Sequence, residues 1–312
     1  MKLILKFFWF VLVSFVLSSI LDIIITKGLQ NHFSYDTEVM IDLRDSTINP
    51  DFLILGSCQA GCSYNPAIFD SVLNVNSYAF SAYNLTMPAH ICLWDLYKSY
   101  HAKLPQYVLF TIDYSDLHMI PLKGCIVEKQ FIPLVYNKVV RDYMLTHGGF
   151  SIFDIYTPLY RYFGYHQFIK DGILGFLGIR NGTRNRYKGY EQMSTGYSFA
   201  REEYASNNYI IVDDKYIELL INWLEECLDL GVKPILITAP LGFELAEKIV
   251  NADDVYNVCQ SLAKEYNIPY LQYQNHPISK DTSMFNSPAH LNYIGTEVFS
   301  KIVTDSLLTI QY

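Results

Sequence analysis

The chain has 312 residues, 51% of them hydrophobic, and a formal net charge of −8. That apolar content excludes a disordered chain, and an acidic balance argues against a nucleic-acid partner. The length accommodates one anchor segment and one large domain, or two small domains.

Tyrosine is abundant at 26 residues. Its flat apolar face and polar tip suit half-buried core positions and also carbohydrate surfaces, and composition leaves both open. The six cysteines are Cys58, Cys62, Cys92, Cys125, Cys227 and Cys259, and they lack paired metal-ligand spacing. Disulfides in an exported chain and buried free thiols both remain open.

In chain order, the first element is an apolar run from Phe7 to Ile25, preceded by Lys2 and Lys6. Nineteen residues reach about 28 Å as a helix, close to a bilayer core. The run has no polar face, unlike a surface helix of a globular domain. No clear small-x-small cleavage site follows; Leu17-Ser18-Ser19-Ile20 comes nearest. Residues 1–27 are therefore read as an uncleaved membrane anchor rather than a signal peptide. The positive-inside rule puts the N-terminus in the cytoplasm and residues 28–312 outside. Asp22 is expected at the outer interface, hydrated.

Gly28 to Pro50 reads as a polar connector with some helical content. Strands are predicted at Asp51–Gly56, Val75–Phe80, Tyr107–Asp113, Lys233–Pro240 and Ile268–Tyr273, from short apolar runs bounded by Gly or Pro. Helices are predicted at Ala89–Ala102, Asp214–Leu230, Asp253–Tyr266 and Tyr293–Leu308. Asp213-Asp214 is expected to cap the second of these. Strands alternating with helices imply parallel pairing, and continuous apolar strands imply a sheet covered on both faces. The fold class is α/β, a three-layer αβα sandwich around a central parallel sheet. A long, partly helical insertion at about 115–210 interrupts the alternation, placed to cap the site or to contact a membrane or partner. Its basic window of Arg180, Arg184, Arg186 and Lys188 reads as a solvated loop, with an anionic polymer or lipid headgroup as the sharper alternative.

Two stretches carry candidate chemistry. In Ile54-Leu55-Gly56-Ser57-Cys58-Gln59 a strand runs into Gly-Ser, and a helix can begin after it. A serine at that corner stands at the carboxyl edge of the sheet, where α/β sites form. Backbone N–H groups there can receive an oxyanion. Serine also caps helices, so this stretch alone does not decide. The second is Asn286-Ser287-Pro288-Ala289-His290-Leu291-Asn292-Tyr293-Ile294-Gly295, just before the last helix. In a parallel α/β fold this loop returns to the edge that carries Ser57. His90 reads as a surface or cap residue, and His118, His147 and His166 lack metal-ligand spacing. Asn84-Leu-Thr and Asn181-Gly-Thr match glycosylation acceptors.

These two stretches, in this order and separation, resemble the first and last conserved blocks of the SGNH (GDSL-like) acylhydrolase and acyltransferase superfamily. The resemblance runs from about Asp51 to the C-terminus outside the insertion. The anchored layout is similar to the branch with the D-alanyl-transfer protein DltD and the alginate acetylation proteins. The resemblance implies Ser57 as nucleophile and His290 as base and then acid. It implies an oxyanion hole of the Ser57 N–H and groups from two further blocks. Asn84 stands where the second block has a glycine, and asparagine tolerates a left-handed backbone. The third block has no clear match; Thr111-Ile112-Asp113 occupies its place. The family pattern has an aspartate three residues before the histidine, and this chain has Ser287. Asp281, Asp113 or a backbone carbonyl is a substitute orienting group. No metal and no diffusible cofactor is implied.

Two functions follow as expectations. One is an extracytoplasmic O-acyltransferase or esterase acting on a cell-envelope glycan, with a multispanning membrane protein as acyl donor if it transfers. The other is a catalytically degenerate module of the same fold that binds glycan or scaffolds an envelope complex. A lipase-like carboxylesterase is a third, less favoured reading.

Overall fold

The computed structural model describes residues 2–33, 38–118, 127–179, 186–198 and 208–310. Cys125, Arg180, Arg184 and the Asn181-Gly-Thr acceptor lie outside them. The chain forms two compact units. One combines Met1–Asp45 with Leu122–Arg184, and the other combines Ser46–Pro121 with Asn185–Tyr312.

In the second unit the described strands are β1 (Phe52–Gly56), β2 (Ser77–Ser81), β3 (Tyr107–Thr111), β4 (Arg186–Tyr187), β5 (Tyr190–Glu191), β6 (Lys233–Thr238), β7 (Tyr270–Gln272), β8 (Phe285–Ser287) and β9 (His290–Leu291). Five form one parallel sheet in the order β2-β1-β3-β6-β7. Every residue of β1, β2 and β3 is buried, as a sheet covered on both faces requires. Alternate residues feed opposite layers. Phe52, Ile54, Leu109 and Ile237 join a core with Phe69 of helix Pro66–Leu73 and with Phe299 and Val303 of helix Tyr293–Ile310. On the other face Phe110 meets Trp223 of helix Asp214–Asp229 at 4.8 Å, and Phe80 meets Tyr97 of helix Met87–Tyr100 at 5.8 Å. The α/β sandwich with helices on both faces is thus as its strand and helix pattern implies.

Helix Asp214–Asp229 shows how local chemistry sets the ends. The Asp213 carboxylate accepts from the Lys215 N–H at 2.9 Å, satisfying a free donor of the first turn. Tyr216, Leu220, Trp223, Leu224 and Cys227 make one buried stripe at helical spacing. Cys58, Cys62, Cys92, Cys227 and Cys259 are free thiols.

The antiparallel ribbon β4-β5 belongs with this sheet. Lys188, between its strands, accepts from the Ala79 N–H of edge strand β2 at 2.9 Å through its carbonyl. Arg186 is buried, donating to the Ser81 carbonyl at 3.1 Å and to Glu191 at 3.1 Å. Lys188 bonds Asp70 at 2.6 Å. The solvated-loop reading of these two cations is therefore corrected: both are paired, because an edge strand needs its open hydrogen bonds covered.

In the first unit, helix Lys2–Leu29 is long and apolar enough to cross a membrane by length and composition. Its last turns pack along helix His166–Phe176. A Cβ on Gly28 would collide with the Gly172 carbonyl, and one on Gly175 with the Gly28 carbonyl. Glycine at all three positions lets the two backbones touch. Asp22 is not hydrated as expected but 5% exposed and paired with Arg161. It also accepts from the Tyr136 hydroxyl at 2.9 Å and the Leu159 N–H at 2.8 Å. A carboxylate this buried persists only when its oxygens are taken up by donors and a counter-charge.

Candidate active site

The sheet order places a topological switch at β1 and β3. The chain leaves β1 for β2 on one side, then continues through β3 on the other. The crevice outside the carboxyl ends of such strands is where α/β folds bind ligands. Ser57 follows β1 directly, and Asp113 follows β3 by two residues. A Cβ on Gly56 would lie 2.7 Å from Ala60 Cβ and 2.9 Å from Thr111 Cβ. Only glycine there lets the first turn of helix Cys58–Ser63 fold back on the strand ends. Ser57 is the N-cap of that helix, with φ −76° and ψ −162°, yet its side chain makes no capping bond. Its Oγ is buried with no hydrogen-bond partner. The simple capping role of serine does not account for it.

His290 reaches the same region on the β8-β9 ribbon. Strand β9 packs against helix Cys58–Ser63, and Leu291 and Ala60 share one core. Asn292 holds the loop. Its Nδ2 donates to the Ser283 carbonyl at 2.7 Å and the Phe285 carbonyl at 3.1 Å, while its Oδ1 accepts from the Ile294 and Gly295 N–H groups at 3.0 Å each. Asn292 thus ties the start of the last helix to the strand before His290. Asn292→Ala, which removes all four of these bonds and orphans the buried Phe285 carbonyl, is expected to cost about 1–3 kcal/mol in denaturant melts. It should also lower any His290-dependent activity.

His290 Nδ1 lies 2.9 Å from Ser287 Oγ. Its Nε2 is buried and without a partner, so it is not bonded to Ser57 Oγ at rest. The two other candidate orienting groups bond elsewhere. Asp281 takes the N–H and hydroxyl of Ser283 at 3.0 and 2.6 Å, capping a 3-10 turn. Asp113 takes the N–H of Ser115 at 3.1 Å.

Asn84 has φ +51°, in the left-handed region. Its backbone N–H bears on the Cys58 sulfur, which brings Asn84 beside the residue that follows Ser57. Burial, then the Asp113 carboxylate, pushes the Cys58 thiol up to about 11. It therefore stays protonated at neutral pH, unlike the lowered thiol of an activated cysteine. Burial, then Asp116, pushes the Asp113 carboxyl up to about 7. Asp116 is fully buried, bonding His90 Nε2 at 2.9 Å and the Asp113 N–H at 2.6 Å. His90, expected at the surface or a cap, is 0% exposed. The buried His90–Asp116 pair is not legible in the sequence; the spacing Asp113-x-x-Asp116 is its one signal.

No family model matches the chain, and no curated protein matches it. Among solved structures it is similar to a candidate platelet activating factor from Streptococcus pneumoniae, with 10% identity, a TM-score of 0.44, and coverage of 86% of this chain and 91% of that one. It is similar to an acetyl xylan esterase, with 12% identity, a TM-score of 0.41, and coverage of 83% and 98%. It is also similar to a candidate acylhydrolase from Bacteroides fragilis, with 10% identity, a TM-score of 0.43, and coverage of 90% and 100%.

Among the described residues no three His, Cys, Asp or Glu side chains are grouped to hold a metal ion. Ser57 and His290 offer a hydroxyl and an imidazole, with backbone amides beside them. A carboxylate at Nδ1 can only accept, which fixes the tautomer, whereas the Ser287 hydroxyl can donate or accept. Only when Nδ1–H donates to Ser287 is Nε2 a base. Burial lowers the His290 pKa below its ordinary 6.5. Any His290-dependent rate should therefore have its acid limb below pH 6.5, since the neutral ring persists to lower pH. Ser287→Asp should move that limb to higher pH, because a carboxylate favours the imidazolium. The pH profile of kcat/KM for both proteins measures this.

Proposed function

We propose that the chain is a serine-dependent esterase or O-acyltransferase that acts on an acylated glycan of the cell envelope. In this reading the helix Lys2–Leu29 anchors it in the membrane, with the α/β unit on the extracytoplasmic side. The observation that carries the reading is a pair of unused polar atoms, Ser57 Oγ and His290 Nε2. Each is buried without a partner, at a cost of about 1–3 kcal/mol. They stand on elements that pack together beside the topological switch. A resting nucleophile and base would look like this.

Ser57 Oγ attacks the acyl carbonyl and its proton passes to His290 Nε2. The charge that develops on the carbonyl oxygen faces the Ser57 N–H and the Asn84 N–H, the two oxyanion candidates. His290 returns the proton to the leaving alcohol. Water then releases the acyl group, or a glycan hydroxyl takes it, with His290 accepting the proton again. For transfer, a multispanning membrane partner would supply the acyl donor. A recess of about 340 Å³ lined by Asn65, Tyr187, Tyr190 and Gln192 offers aromatic and amide groups suited to a sugar acceptor.

The second reading, a non-catalytic glycan-binding or scaffolding module, is favoured by Ser287 in place of a carboxylate and by the 3% exposure of Ser57. The test is turnover of an acetylated xylo- or gluco-oligosaccharide by the full chain in nanodiscs, with and without an unacetylated acceptor. Acetate release or acceptor acetylation that depends on Ser57 and His290 supports the enzyme. Saturable oligosaccharide binding with no turnover supports the module.

A further inference from the structure

The first unit carries bulky apolar side chains that are exposed among the described residues. Phe153 is 75% exposed, Phe163 86%, Leu177 62% and Phe176 51%, with Ile152 and Tyr156 also exposed. They lie on consecutive elements in contact: helix Ile152–Tyr156 touches the 3-10 turn Tyr160–Tyr162, which touches helix His166–Phe176. That last helix is the one locked to Lys2–Leu29 through Gly28, Gly172 and Gly175. The Asp22–Arg161 pair fixes the 3-10 turn to the same helix. Four or more bulky apolar residues left in water on one small body is unusual.

Where this body meets the long helix decides what covers it. Lys2 to Asp22 rises about 30 Å, the thickness of a hydrocarbon core. Its side chains from Leu3 to Ile23 are largely exposed and apolar. Gly172 lies against Ile25 and Gly175 against Gly28 and His32, so helix His166–Phe176 runs alongside the end of the long helix in the same direction. The Asp22–Arg161 pair sets the Tyr160–Tyr162 turn, and with it the exposed Phe163, beside the outer end of that apolar stretch. Tyr156 and Tyr160 are more than half exposed beside them, and Tyr136 nearly so. Aromatic rings with polar tips concentrate at this depth in membrane proteins.

We infer that the segment from Ile152 to Phe163 is an interfacial lipid-binding element, lying in the headgroup and upper acyl region beside the membrane-crossing helix. The inference rests on the reading that Lys2–Leu29 spans the bilayer. Together they form one two-part membrane platform. The short helices hold the long one at fixed depth and rotation, as an amphipathic interfacial helix does.

Tryptophan quenching by acyl-chain-brominated phosphatidylcholine, on the full chain in nanodiscs, tests both parts separately. Trp9 lies in the anchor, whereas Trp94 and Trp223 are buried in the other unit. Loss of emission in brominated lipid in the native chain, absent in Trp9→Phe, reports the anchor. Phe163→Trp and Phe153→Trp are then placed in the Trp9→Phe background. The expected result is a new blue-shifted emission component at both, lost when bromines lie near the headgroup end of the acyl chain. If Trp9 is quenched and neither new tryptophan is, the inference fails while the anchor stands; a face built for a protein partner gives this result. If Trp9 is not quenched, the anchor reading fails and the inference with it.

Discussion

Ser57→Ala is expected to reduce ester turnover by about 10³-fold or more while leaving the melting temperature unchanged or slightly raised. The two halves of this result come from one observation. The hydroxyl is buried, bonds nothing and does not cap its helix. Its removal therefore deletes an unsatisfied polar atom and leaves a methyl group of nearly the same shape, which is neutral or stabilising. A serine kept for capping would behave oppositely: its loss would cost about 1 kcal/mol and leave turnover intact. His290→Ala should reduce turnover comparably, but with lost packing at β9. Measuring turnover and thermal melting on the same preparations separates a catalytic serine from a structural one.

Asp116→Ala is expected to cost about 2–5 kcal/mol, a large part of a domain's stability. Asp116 is fully enclosed, and its two oxygens hold His90 Nε2 and the Asp113 N–H. The truncation orphans both, in the loop that follows β3 at the site. It also removes the like charge beside Asp113. With the Asp113 carboxyl raised to about 7, the folded state retains a proton that the unfolded chain loses near pH 4. That group's stability contribution is full at low pH and falls as pH rises through about 7. In Asp116→Ala the fall should shift to lower pH. Urea midpoints from pH 4 to 8 on both proteins measure the mean loss and the slope.

Sheet strands were legible where the physics is local. β1, β3 and β6 are short continuous apolar runs bounded by Gly or Pro, and all were placed within two residues of their observed ends. Helix Asp214–Asp229 was legible from its cap and its stripe. Ser57 and His290 stood out because each closes an apolar element at a punctuated corner, and Ser287 because it sits three residues before the ring it bonds. What escaped depends on partners distant in sequence. His90 follows a helix-start signal that suggests exposure, and its burial comes from Asp116, 26 residues away. Asp22 reads as hydrated until Arg161, 139 residues away, pairs with it. The start of helix Cys58–Ser63 after Gly56-Ser57 is legible, but its six residues are too few for an apolar period to fix its extent. The insertion has no periodicity that would divide it, yet Leu122–Arg184 joins the anchor unit and the chain from Asn185 joins the sheet unit.

The central claim is that Ser57 is an activated nucleophile with His290 as its base. Fluorophosphonate labelling of the full chain in nanodiscs, followed by peptide mass mapping, tests it most directly. One adduct is expected, on Ser57, retained in Cys58→Ala and lost in Ser57→Ala and His290→Ala. A folded native chain that takes up no label, or an adduct on another residue that persists in Ser57→Ala, would contradict it.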